Sequence, residues 1–168
     1  MFGRKKKLTT EQLAKLSYRF AKEHSLDYAH HEQQSEKSPF KDVHLETLAH
    51  ERLILAFWVI DAFFADKEHK LTGGLHKEYF LDTNILQNKE KTQIEMTLIM
   101  NRYKEYYDLY DNEAGSEQHL LNASIAKNFL QQQEPVMNFL VSMQVGIDFV
   151  LLIKLLKESI FDQYELKQ

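Results

Sequence analysis

The segment LILAFWVIDAFFA spans Leu53 to Ala65, and the segment VMNFLVSMQVGIDFVLLI spans Val136 to Ile153. Each is almost wholly apolar and contains a single acid, Asp61 in the first and Asp148 in the second. A helix that is apolar nearly all round is usually buried on most sides. The sequence therefore predicts two long central helices that lie side by side in one interior.

The composition favours an all-α protein with one domain. The chain has 168 residues, of which 43% are hydrophobic and 27% charged, the usual balance of a globular domain. Five glycines and two prolines are few for the turns of a β or α/β protein of this length. We therefore expect a single-domain helical bundle of about six helices, formed by residues 9–168. Residues 1–8 are expected to be a flexible basic leader.

Capping residues, prolines and glycines mark the expected helix boundaries. Thr9 and Gln12 have the spacing of a capping box, in which each residue bonds the backbone of the other. The stretch 66–74 ends in two adjacent glycines, a pattern typical of a turn. Six helix starts are expected, at Thr9, Pro39, Leu75, Asn88, Ser116 and Pro135.

The common sequence signatures of catalysis and of cofactor binding are missing. The chain has no cysteine, no GxSxG, no glycine-rich phosphate loop, no HExxH, and no glutamate with a histidine three residues later. The net charge is −4, and the only short basic run is Arg4–Lys7. We therefore predict a protein that is not an enzyme, with no cofactor, no metal and no nucleic-acid partner.

The segment Val136–Ile153 is nearly long enough to span a membrane, but it carries Asn138, Gln144 and Asp148. We expect no membrane span. The N-terminal run also lacks the apolar core of a signal peptide, which predicts a cytoplasmic protein. Arg4–Lys7 is compatible with weak peripheral contact with anionic lipid.

An acidic, tyrosine-rich stretch is the main candidate for function. Tyrosines beside acids are typical of protein interfaces, so we predict that this surface binds another protein, as an adaptor or an inhibitor would. The candidate residues are Arg102, Tyr103, Tyr106, Asp108, Tyr110, Asp111 and Glu113. A structural alternative is that the tyrosines pack against the central helices, and that their hydroxyls or Arg102 hydrogen-bond Asp61 or Asp148.

Three alternatives stay open from the sequence. Asp61, Gln144 and Asp148 could line a pocket for a small ligand or substrate, where a buried acid serves as general acid or base. Glu46 and His50, four residues apart, could bind a metal with a histidine of another helix such as His119. The apolar last helix is compatible with a homodimer.

Overall fold

The described residues, 5–65, 69–111 and 118–166, form six α-helices and a two-stranded sheet in this computed structural model. The expected all-α bundle of about six helices is confirmed. The bounds are, in chain order, β1 Lys6–Leu8, α1 Thr10–Gln34, α2 Leu45–Phe64, α3 Lys70–Asp82, α4 Lys89–Asp111, α5 Gln118–Phe129, α6 Phe139–Leu156 and β2 Tyr164–Leu166. A π-helical turn, Lys157–Phe161, extends α6.

The centre of the bundle is α2. Every residue from Glu51 to Ile60 is buried, and α1, α3, α4, α5 and α6 all pack against this helix. The indole of Trp58 lies 5.8 Å from the ring of Phe149, centroid to centroid. The two apolar segments therefore meet in one interior, as predicted.

The burial of α6 differs from the expectation that both apolar helices are central. This helix buries only one face, formed by Val145, Asp148, Phe149, Leu152 and Leu156. Its opposite face is exposed although it is apolar. An apolar composition predicts burial, but it cannot say whether the burying surface belongs to the same chain.

Two of the expected helix starts are confirmed by their caps. The Thr9 hydroxyl accepts a hydrogen bond from the amide of Gln12 at 3.2 Å, and the Gln12 side chain accepts one from the amide of Thr9 at 3.0 Å. The side chain of Asn88 accepts a bond from the amide of Lys91 at 3.0 Å, at the start of α4. The Gly115–Ser116 boundary lies outside the described residues.

Other boundaries predicted from sequence are wrong. The Ser38 hydroxyl accepts a bond from the amide of Phe40 and donates to Glu32, which fixes a turn, and α2 begins only at Leu45. Gly73 and Gly74 lie inside α3 and not in a turn. The last helix begins at Phe139, where Asn138 caps two amides, and not at Pro135.

The basic leader is partly ordered. Lys6–Leu8 pairs in parallel with Tyr164–Leu166, in a register that sets Lys6 opposite Tyr164. The ammonium of Lys5 also donates to the carbonyl of Phe161 at 2.6 Å. Residues 5–8 therefore differ from the flexible leader expected, because strand pairing with β2 holds them against the bundle.

Candidate functional site

The predicted tyrosine surface is mostly interior. Tyr103 is 5% exposed and Tyr106 is fully buried, where its ring packs 5.3 Å from Trp58. The hydroxyl of Tyr106 accepts a bond from Asn128 at 3.1 Å. These two side chains hold α4 against α2 and α5, and they cannot contact a partner protein without unfolding.

Asp108 and Tyr110 are the members of that surface that reach solvent. Asp108 forms an ion pair with Lys104. Tyr110 is 41% exposed, and its ring lies 5.5 Å from that of Phe63, which is also exposed. The side chain of Asp111 and all of Glu113 lie outside the described residues.

Arg102 is engaged inside the protein. Its guanidinium donates two hydrogen bonds to the carboxylate of Glu51, at 2.9 and 3.0 Å, and Gln131 donates a third at 3.2 Å. The Glu51 side chain is 3% exposed, so this bidentate pair neutralises a charge that α2 buries. Arg102 therefore joins α4 to α2, and among the described residues its hydrogen bonds go to Glu51 and not to Asp61 or Asp148.

Asp61 is held by three side chains. Tyr107 donates to its carboxylate at 2.6 Å, Thr72 donates a second bond, and Nδ1 of His69 lies at 2.8 Å. Burial alone would raise the pKa of Asp61, but the bonds from Thr72, Tyr107 and His69 outweigh it and hold the pKa below its ordinary value. Tyr107, a tyrosine of the acidic, tyrosine-rich stretch, thus satisfies Asp61, as the structural alternative expected.

We expect Asp61→Asn to lower the free energy of unfolding by about 1–2 kcal/mol at pH 7, because the amide cannot accept all three bonds. The depressed pKa means that the carboxylate stabilises the fold above its unfolded pKa of about 3.9, and that this stability is lost as the pH falls through the folded pKa. Urea titration at pH 7 and at pH 3 measures the difference, which should shrink at the lower pH.

Asp82→Asn is the matched control. Asp82 also accepts a hydrogen bond from a tyrosine, Tyr18, at 2.6 Å, but its side chain is 41% exposed. Because water replaces the lost contacts there, this variant should change stability by less than about 0.5 kcal/mol. Equal losses for the two variants would contradict the importance of burial at Asp61.

Asp148 lies in a second cluster, together with Gln144. Tyr28 donates to its carboxylate at 3.0 Å, and the Gln144 amide donates at 3.2 and 3.3 Å. Arg52 donates to the backbone carbonyl of Asp148 at 3.1 Å, while its guanidinium lies 4.3 Å from the Tyr28 ring centroid. Arg52 is 2% exposed, and burial lowers its pKa.

The structure therefore separates the three residues of the predicted pocket. Gln144 and Asp148 lie together beside α1, whereas Asp61 is held by α3 and α4. Both carboxylates already accept two or more bonds from side chains. The role of these residues in a ligand pocket stays a prediction, and their contacts favour stabilisation of the fold.

An open groove of about 600 Å³ lies between α2, α3 and α4. Nε2 of His50 lies 2.6 Å from Glu95 and 3.1 Å from the Tyr79 hydroxyl, which donates to Glu95 at 2.9 Å. Burial alone would lower the pKa of His50, but the bond to Glu95 and the charges of Glu95 and Glu51 raise it above its ordinary value. His50, Tyr79 and Glu95 belong to α2, α3 and α4, so the hydrogen bonds among them join these three helices.

The predicted metal site is not assembled in the described residues. Glu46 and His50 border the same groove, but His50 is bonded to Glu95 and Tyr79. No three histidine or acidic side chains of the described ranges are placed to hold a metal ion. The Glu46, His50 and His119 hypothesis therefore has no geometric support in this part of the chain.

The exposed side of α6 is the least ordinary surface of the bundle. We call it the α6 apolar face, and its members, each about half or more exposed, are Met137, Phe139, Leu140, Met143, Ile147, Val150 and Leu151. The six helical members lie within about 120° of one another at 100° per residue. The solvent side of a surface helix normally carries charged and polar residues, so this face lacks the partner that its composition requires.

The same helix meets the length and composition of a membrane span. Phe139–Phe161 covers 23 residues because the π-helical turn continues the helix beyond Leu156, and 22% of its most apolar window is buried. From the sequence, the apolar segment was expected to end at Ile153, and its polar residues argued against a membrane span. Length and composition alone cannot separate a membrane helix from one that packs on a protein.

From the sequence, the apolar last helix was expected to suit a homodimer, but its exposed side was not located, although a signal for it was present. Leu140, Met143, Ile147 and Val150 follow one another at intervals of three, four and three residues. This is the spacing of apolar residues along the seam between two packed helices. It was hidden because the buried side of α6 is equally apolar.

Comparison of the chain with protein-family models, with curated proteins and with solved structures gives no significant match.

Proposed function

We propose that this chain is a non-enzymatic, protein-binding helical bundle whose binding surface is the α6 apolar face. The single observation that supports this proposal is the exposure of a continuous apolar helix side, from Phe139, which is 76% exposed, to Leu151, which is 54% exposed.

The exposed area is large for a monomer. Taking roughly 150–200 Å² for each large apolar side chain, the α6 apolar face exposes on the order of 700 Å². Monomeric soluble proteins rarely expose contiguous apolar patches beyond roughly 300–600 Å². A specific protein interface buries roughly 800 Å² on each partner, so the α6 apolar face has the right size for one.

One exposed member of the acidic, tyrosine-rich surface, Tyr110, lies near α6. Phe63 contacts Phe149 of α6 at 6.4 Å and Tyr110 at 5.5 Å, centroid to centroid, and both Phe63 and Tyr110 are partly exposed. Exposed aromatic side chains are favoured in protein interfaces, which suits Phe63 and Tyr110 to such a role. Of the surface first predicted from sequence, Tyr110 would then lie at the edge of this proposed interface.

Site-specific photocrosslinking in living cells tests the proposal. A benzophenone amino acid at Val150, on the α6 apolar face, should form a covalent adduct with a protein, seen as a shifted band on a denaturing gel. Ile94 is the control position, because it is an aliphatic residue of α4 that is 63% exposed. The proposal fails if the two positions give the same adducts, or if position 150 reacts only with lipid.

A further inference from the structure

We infer that the occupant of the α6 apolar face is a second copy of this chain, docked with its α6 antiparallel to the first. This inference rests on the proposed function and names the partner. The protein would then be a symmetric dimer in which each copy covers the exposed helix side of the other.

The spacing of the exposed residues is that of a helix that packs on another helix. Leu140, Met143, Ile147 and Val150 lie at alternating intervals of three and four residues, with Phe139 and Leu151 on either side. Such positions form the knobs and holes of a two-helix seam. A face without charges between residues 139 and 151 is complementary to itself, which is what two-fold symmetry requires.

Charges at the two ends of the face set the direction. Lys154 and Lys157 are exposed at the C-terminal end of α6, and the nearest acid before its N-terminal end is Glu134. Parallel helices would align their dipoles side by side and place like charges of the two copies at one level, which is repulsive. The lysines contribute only part of this repulsion, since each also pairs with an acid of its own copy. Antiparallel helices bring the lysine end of each copy toward the Glu134 end of the other, with the symmetry axis near residue 145.

The electrostatics favour a protein over a lipid surface. The chain has a net charge of −4, and Lys154 and Lys157 form ion pairs with Glu158 and Asp162 at 3.9 and 2.6 Å. Helices that bind anionic membranes carry an excess of cations beside the apolar side. The other face of α6 is also fixed to the bundle by Asp148 and Tyr28, so insertion would break buried hydrogen bonds.

Mass measurement of the full chain tests the inference. Sedimentation from about 1 to 100 µM spans the micromolar affinities of weak dimers. The expected mass is twice the 19.9 kDa of the chain.

Ile147→Glu places a charge near the symmetry axis in both copies, so it should raise the dissociation constant at least about 100-fold. Ile94→Glu, at the exposed control position on α4, should leave the mass unchanged. Circular dichroism checks that both variants fold.

Disulfide crosslinking tests the direction of the helices. The chain has no cysteine, so single introduced cysteines report their own position. Ile147→Cys lies near the axis and should oxidise to a covalent dimer, whereas Leu140→Cys should not pair with itself. Efficient self-pairing at both positions would indicate parallel helices and overturn the antiparallel arrangement.

A monomeric mass at every concentration overturns the second copy as occupant. Flotation with vesicles of phosphatidylserine and phosphatidylcholine then decides the proposed function separately. A monomer that floats with the vesicles would make the α6 apolar face a lipid-binding surface and overturn both proposals. A monomer that stays in solution overturns the dimer alone, since the photocrosslinking at Val150 still decides whether another protein binds.

Discussion

Trp58→Ala should lower the free energy of unfolding by about 3–5 kcal/mol, the range for deleting a large aromatic side chain from a core. Trp58 is fully buried, and its indole contacts rings from three helices: Tyr106, Tyr107 and Tyr110 of α4, Phe63 of α2, and Phe149 of α6. The cavity would therefore weaken the contacts of α2 with α4 and with α6 at once. Urea unfolding followed by circular dichroism measures the loss.

Trp58→Phe is the control for cavity size. The indole Nε1–H is buried with no acceptor among the described residues, so its removal costs no hydrogen bond and relieves an unsatisfied donor. We expect this variant to lose only about 1–2 kcal/mol, from the smaller ring. Losses of similar size for Ala and Phe would mean that packing at Trp58 is not what joins the helices.

Gly74→Val should destabilise the fold by about 2–3 kcal/mol, at the upper end of the cost of overpacking. An added Cβ at Gly74 would lie 2.6 Å from Cβ of Ala14, so α1 and α3 would have to separate. The contact is with a short side chain that has no rotamer to move aside. Thermal or urea unfolding of the purified variant gives the change.

The neighbouring glycine provides the matched control. An added Cβ at Gly73 meets nothing within 4 Å, so Gly73→Ala should stabilise α3 by about 0.5–1 kcal/mol through its helix propensity. The double variant Ala14→Gly, Gly74→Ala returns the lost space and should be more stable than the sum of its single changes predicts. Additive losses would show that the two helices do not meet at these residues.

These glycines also show what sequence can and cannot predict here. Gly73–Gly74 has the composition of a turn, but Gly74 is required for the close contact of two helices, and that contact depends on Ala14, 60 residues away in sequence. Local signals were reliable where the chemistry is local, as in the capping box of Thr9 and Gln12. They failed where a distant residue decides the conformation.

The candidate site followed the same pattern. Tyrosine spacing on one helix predicted that a hydroxyl such as that of Tyr107 would reach a buried acid, and it reaches Asp61. The partner of Asp148 is Tyr28, 120 residues earlier, which has no signal in the sequence around either residue. The exposure of the α6 apolar face could not be predicted from hydrophobicity, because burial by the same chain and burial by a partner require the same residues.

The parallel pairing of β1 and β2 has a mechanical consequence. A tether at Lys6 and another at Leu166 would pull the two strands along their own axes in opposite directions, so their hydrogen bonds would bear the force together and not open one by one. The helices between the two strands would bear none of this force until the β1–β2 pair separates, with its hydrogen bonds breaking together. The bundle is thus built to resist stretching in shear at the point where the first and last described segments meet.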